Sequence, residues 1–312
     1  MKVLECVPNF SEGSDERVLS SIADAVKSVK GVRLLDICKD PDHNRTVFTF
    51  IGDPGAVEKG AAAACDSALG AIDMCRHGGV HPRIGAVDVV PFVPISGLGM
   101  KDAVEAAHRF GRAFAERNRI PVFFYGEAAL RPERKELSHI RSGGYEGLKK
   151  KLSDPQWVPD AGPVLFDPCK GATAVGARQP LIAYNINLET NDLDIARRIA
   201  SEIRQSAASG LRSVKAIGVP LKSRGIVQVS MNLTNYRETP IKEVFDVVTE
   251  KARRQGVKVL ESEIVGLVPA AAMKDVTPEY LLCAGFSDDR VIEKHINASG
   301  IRTKRKVKGQ RR

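Results

Sequence analysis

Residues 75 to 88 read Cys75-Arg76-His77-Gly78-Gly79-Val80-His81-Pro82-Arg83-Ile84-Gly85-Ala86-Val87-Asp88. This stretch sets two histidines, a cysteine, an aspartate and two arginines among glycines and a proline. His77 and His81 are four residues apart, a spacing that suits a metal on one helix face. Gly78, Gly79 and Pro82 disfavour a continuous helix through both, and no metal is expected. A structural imidazole and a general acid/base remain. The glycines let the backbone approach a ligand, and Pro82 fixes the chain beside His81. An imidazole with a pKa of about 6.5 takes and returns a proton near neutrality. His81 is the candidate catalytic residue.

Two further clusters carry polar groups. Val7-Pro8-Asn9-Phe10-Ser11-Glu12-Gly13 ends an apolar run and offers Asn9, Ser11 and Glu12. It reads equally as a helix-start loop with Ser14 as the N-cap. His43-Asn44-Arg45 lies at a turn into a strand. A guanidinium such as that of Arg45 or Arg83 can clamp a carboxylate through two parallel hydrogen bonds, although a surface arginine is the commoner case. The chain has no GxxxxGK[ST], GxGxxG or GxSxG motif, and so lacks the usual signatures of phosphate loops, dinucleotide sites and nucleophile elbows.

These loops need elements to hold them. Apolar residues at threes and fours predict helices over 15–29, 54–75 and about 101–118. β-branched, aromatic and apolar runs predict strands over 2–8, 32–38, 45–51, 84–93 and 121–125. The second half gives strands over 181–188, 213–219, 225–233 and 258–264. Its helices cover 191–208 and 240–255, with Thr239 placed as a cap and Pro240 in the first turn. Each half therefore reads β-α-β-β-α-β. The fold expected is α/β (α+β), with two ferredoxin-like subdomains and a ligand cleft between them. The Pro- and Gly-bearing stretch 153–179 reads as a boundary or a ligand-facing loop. The expected division is 1–178, 179–301, and a basic, disordered tail over 302–312.

Composition bounds the function. The chain has 312 residues, 43% hydrophobic and 5% aromatic, with a net charge of +9. Residues 302–312 hold seven of those positive charges and no acid, leaving +2 for the other 301 residues. A nearly neutral, aromatic-poor body argues against a nucleic-acid partner, which would interleave basic and aromatic residues. The tail reads as a solvated end or as a contact for an anionic partner. Glu5 and Pro8 break the first apolar run, so no signal peptide is expected, and no run is long enough for a membrane span. The six cysteines show no CxxC pairing, and reduced cytoplasmic thiols are the default.

The ordered motifs resemble the glutamate formimidoyltransferase family. They are Val7 to Gly13, Asn44 to Phe50, His81 to Phe92, Tyr125 to Ala128, Gly176 to Arg178, Asn185 to Leu188 and Gly266 to Pro269. The resemblance implies transfer of the formimino group from N-formimino-L-glutamate to N5 of tetrahydrofolate, the co-substrate. The products would be 5-formimidoyltetrahydrofolate and L-glutamate, late in histidine degradation. It places the catalytic histidine on His81. Substrate and folate contacts fall on Asn9, Glu12, Asn44, Arg45 and Arg83. The folate-binding stretch falls on Gly162, Pro163, Val164, Leu165, Phe166, Asp167, Pro168, Cys169, Lys170 and Gly171. His43 is assigned no role. A cytoplasmic homodimer with no membrane partner is expected, and the cyclodeaminase step that some relatives carry in the same chain would fall to another enzyme. Two alternatives stay open. One is another folate one-carbon reaction on the same scaffold, either formyl transfer from N-formylglutamate or 5-formyltetrahydrofolate cyclisation. The other is a non-catalytic ferredoxin-like ligand-binding module.

Overall fold

The computed structural model describes residues 1–41, 43–79 and 82–298, the last two without their side chains. His81 and the tail 302–312, both singled out by the sequence, lie outside the described residues. The chain divides into two compact units. The first is Met1–Ala177 with the segment starting at Ile296, and the second is Arg178–His295.

The first unit runs β1 (Val3–Cys6), β2 (Asn9–Phe10), α1 (Glu16–Lys27), β3 (Val32–Asp40), β4 (Arg45–Gly52), α2 (Pro54–Ala71), β5 (Val87–Ser96), α3 (Met100–Asn118) and β6 (Val122–Gly126). Short helices α4 (Leu137–Ile140) and α5 (Gly144–Leu152) follow, and then β7 (Thr173–Ala177). Strands β1 and β2 are two halves of one path broken at Val7-Pro8, and both lie between β4 and β5. Proline has no N–H to give the ladder; its carbonyl still accepts from Phe48 N. The sheet continues through β7 to β6, with β5, β7 and β6 mutually parallel.

Helix α1 turns Leu19, Ile22, Ala23 and Val26 inward. Its N-cap is Asp15, whose carboxylate accepts from Arg17 N, while Ser14 N donates to Glu12 Oε1. The expected Ser14 cap is thus displaced by one residue, because Glu12 already holds the loop. Helix α2 stops at Ala71, four residues short of the sequence reading, where β-branched Ile72 turns extended. Its buried face is mostly Ala and Gly, so it sits close on the sheet; a Cβ on Gly60 would come within 3.3 Å of Phe50.

The stretch read as a boundary contains an inner strand. All five residues of β7 are buried, and it lies between β5 and β6. Strands covered on both faces lose the alternation that marks a strand in sequence. The small residues of Thr173-Ala174-Val175-Gly176-Ala177 look like turn formers but answer to packing. A Cβ on Gly176 would meet the Tyr125 ring at 2.5 Å.

The second unit follows the expected order: β8 (Ile182–Leu188), α6 (Leu193–Ile203), β9 (Val214–Leu221), β10 (Ile226–Leu233), α7 (Ile241–Arg254) and β11 (Val259–Val265). Helix α8 (Ile292–Ala298) comes later in the chain. Its sheet is β11-β8-β10-β9, antiparallel throughout. Helix α6 buries Ala196, Ile199, Ala200 and Ile203, and each isoleucine stabilises by about 1.5–3 kcal/mol. Pro240 rather than Thr239 caps α7, and the Thr239 hydroxyl donates to Arg212 O at 2.6 Å instead.

Candidate functional site

Strands β4 and β5 both run antiparallel to β1, and β7 and β6 follow β5. The N-terminal ends of all four therefore share one sheet edge. The residues just past β2 reach the same edge, where Ser11 N donates to Ala86 O at 3.0 Å and Ser11 Oγ to Gly85 O at 2.8 Å. This alignment gathers motifs that are far apart in sequence.

Asn44 is the hub. Its backbone is left-handed, with φ of 46°, a conformation asparagine tolerates better than most residues. Its Oδ1 accepts from Gly13 N at 2.9 Å, and its Nδ2 donates to Gly78 O at 2.9 Å. Its carbonyl accepts from His77 Nε2 at 3.0 Å. His77 in turn accepts at Nδ1 from Arg83 Nε, also at 3.0 Å. The two bonds together require the tautomer protonated at Nε2. His77 is thus a structural imidazole that ties three segments together. Gly79 has no room for a side chain, since a Cβ would lie 2.7 Å from His43 O.

Arg83 extends the chain of contacts. It pairs with Glu146 at 2.8 Å and lies over the Tyr145 ring, 5.8 Å from its centre. Glu146's own backbone N–H, followed by Arg83, holds its carboxyl below the usual range. The Tyr145 hydroxyl donates to Pro168 O, and its ring packs 5.8 Å from Phe166. The path from Gly13 through Asn44, His77, Arg83 and Tyr145 thus ends on the 162–171 stretch. That stretch begins and ends at glycines with φ of 82° and 71°. At each, a Cβ would fall within 2.3 Å of a backbone carbonyl, Ile120 O at Gly162 and Ile84 O at Gly171. Between these pinned ends, Val164 and Leu165 are exposed, while Asp167 accepts from Cys169 N and Lys170 N.

A second cluster lies behind the first. Asp88, 1% exposed, accepts from Ile84 N at 3.0 Å and pairs with Arg141. Arg141 Nε is buried and has no hydrogen-bond partner among the described residues. Burial pushes the Arg45 pKa down; repulsion from Arg141 adds to this, and Asp88 and Asp40 oppose it. Two guanidiniums thus stand near one buried carboxylate.

Of the residues expected in the site, Asn44, Arg83 and the 162–171 stretch are joined through His77 and Tyr145. Glu12 contributes backbone, its carbonyl accepting from Thr46 Oγ1, while its carboxylate holds Ser14 N and Asp15 N. The side chain of Asn9 donates to Val7 O, across the Pro8 break. Arg141, Tyr145 and Glu146 went unread in the sequence. The Gly143-Gly144 turn ahead of an aromatic-acid pair was the available signal. In the second unit, Asn185 and Asn187 donate to Glu263 and Glu261, and Gln228 bridges Asn187 and Glu263.

The sequence model of the formiminotransferase domain, N-terminal subdomain, matches residues 3–178. That of the formiminotransferase domain matches residues 183–307. A glutamate formimidoyltransferase of Streptococcus pyogenes serotype M1 is 43% identical over 296 residues, covering 95% of this chain and 99% of that one. The glutamate formimidoyltransferase of Thermoplasma acidophilum is 45% identical, covering 94% and 97%. The formimidoyltransferase-cyclodeaminase of Gallus gallus is 45% identical over 90% of this chain and 52% of its own. With both halves matched by the family's models and two stand-alone relatives aligned over nearly their whole length, the chain belongs to the formiminotransferase domain family.

Proposed function

We propose that this protein moves the formimino group of N-formimino-L-glutamate to N5 of tetrahydrofolate. The observation that carries the reading is similarity along nearly the whole length of two stand-alone glutamate formimidoyltransferases. The geometry supports it. The substrate is a dicarboxylate and folate ends in glutamate, so the site needs cations. Arg45 and Arg141 supply them, and Arg141 Nε is a buried donor with no described partner. Folate also presents a flat ring system. The exposed Val164 and Leu165, on a loop pinned at both ends, offer it apolar surface.

N5 attacks the formimino carbon, and a C–N bond forms to give a tetrahedral centre. A base takes the N5 proton. The bond to the glutamate nitrogen then breaks as an acid returns a proton to that nitrogen. One imidazole can serve both steps, and His81 is the residue assigned to them. Asn44 and His77 hold the segment leading to it, and Arg83 joins that segment to the folate stretch, 162–171. We assign this chemistry to residues 1–178; the second subdomain, expected over 179–301, has Arg178–His295 as its compact unit, and 302–312 is basic by composition. The protein acts in the cytoplasm as a homodimer. Among the described residues no helix is long and apolar enough to cross a membrane.

The test is donor-dependent conversion of tetrahydrofolate, run with N-formimino-L-glutamate and with N-formylglutamate, on wild type and His81→Ala. The formimino donor should be consumed, and the substitution should lower kcat by roughly 10²–10⁴-fold. A folded His81→Ala protein with unchanged kcat removes the histidine from the mechanism. Turnover of the formyl donor alone overturns the substrate assignment.

A further inference from the structure

Asp73, Cys75 and Cys169 are the one group of three potential metal ligands among the described residues. All three donor atoms lie within 4.8 Å of one another, and all three residues are exposed, so an ion can enter. The two sulfurs are 3.8 Å apart. Two thiolates on one tetrahedral zinc, at about 2.3 Å each, stand about 3.8 Å apart. A disulfide would need about 2.05 Å; the sulfurs are within reach of a thiol hydrogen bond, and the same separation matches the span of a shared zinc.

The ligands are also aimed. Asp73 Oδ1 accepts from Cys75 N at 2.9 Å, which turns the carboxylate toward its neighbour's thiol. Asp167 Oδ1 accepts from Cys169 N at 2.9 Å, and Met74 N donates to Cys169 O at 3.0 Å. Two segments 94 residues apart are therefore clipped together by backbone before any ion binds. Two sulfurs and one carboxylate select a thiophilic divalent ion over magnesium or calcium, which take oxygen.

We propose that Asp73, Cys75 and Cys169 form a zinc site, with its fourth position open to water. The ion would clamp the end of the 162–171 stretch to the segment carrying His77. Only the description of that stretch as folate-binding rests on the proposed function.

The experiment uses the full chain, reduced and stripped of metal, without substrates. Zinc is titrated against a chromogenic chelator, and cobalt(II) serves as the spectroscopic probe. One equivalent should bind, with a sulfur-to-cobalt charge-transfer band. X-ray absorption of the zinc form should show two sulfur neighbours at about 2.3 Å. Cys75→Ser and Cys169→Ser should each abolish stoichiometric binding. Asp167→Ala, which removes the acceptor of Cys169 N, should weaken it roughly 10–100-fold. Failure of the reduced wild type to bind, full affinity in both serine variants, or a zinc shell without sulfur overturns the site. The X-ray measurement needs no variant, so a misfolded substitution leaves the test intact. Zinc binding is read without turnover, and failure of formimino transfer does not touch it.

Discussion

Replacing Arg45 by methionine separates a binding role from a structural one. The folded protein holds this guanidinium at some cost, since burial and the charge of Arg141 oppose it more than Asp88, Asp40 and Cys38 favour it. A base whose pKa falls on folding has its charged form disfavoured by the fold. Deleting the charge should therefore cost little, and stability by urea denaturation should stay within about 1 kcal/mol of wild type. Catalysis should behave differently. A hydrogen bond to a charged group contributes about 1.5–3 kcal/mol. At about 1.4 kcal/mol per tenfold, its loss raises KM for one substrate by roughly 10- to 150-fold.

If Arg45 holds a substrate carboxylate equally in ground and transition states, kcat should change little. Arg45→Lys keeps the charge but loses the planar fork, and its KM should fall between the two. Initial rates with each substrate varied in turn give all of these values. If both KM values stay within about twofold of wild type, Arg45 binds neither substrate. If stability drops by about 3 kcal/mol while KM is unchanged, the residue is structural, as expected when one partner of a buried ion pair is removed.

Arg134→Met should destabilise the first unit by about 3–5 kcal/mol, measured by urea denaturation, because it leaves the buried Asp160 carboxylate without its cation and three contacts at 2.6–3.2 Å unmade. Gly171→Ala should lose about 1–3 kcal/mol through its left-handed backbone and the clash with Ile84 O. It should also raise KM for folate, since it displaces one end of the 162–171 stretch. The Arg83–Glu146 pair sets a pH window. The Glu146 carboxyl is held below its unperturbed 4.5 by its own backbone N–H and then by Arg83, so these contacts contribute above that pH and fade as pH falls through the lowered value. The Tm advantage of wild type over Glu146→Gln should be present at neutral pH and vanish in acid.

How much of this was legible depends on how far each signal reaches along the chain. Helices α1, α6 and α7 were readable because their buried residues recur within one or two turns. The strand pairs β3–β4 and β9–β10 were readable because a turn joins each pair. Strand β7 was not, since burial on both faces removes the alternation that a single strand can show. Caps were missed by one residue: Glu12, two residues earlier, holds Ser14 N, and the Thr239 hydroxyl donates to the distant Arg212 O. The site divides in the same way. His43-Asn44-Arg45 and the Pro- and Gly-bearing stretch 153–179 stand out locally as charges and turn formers, whereas Asn44, Arg83 and 162–171 as contacts came from the family resemblance. The groups that complete them were not, because nothing near Asp88 announces Arg141, 53 residues on, and nothing near Cys75 announces Cys169. Such pairs exist only because parallel β5, β6 and β7 bring their starting ends to one edge. Topology therefore decides which charges and thiols meet, and a sequence motif supplies at most one side of each meeting.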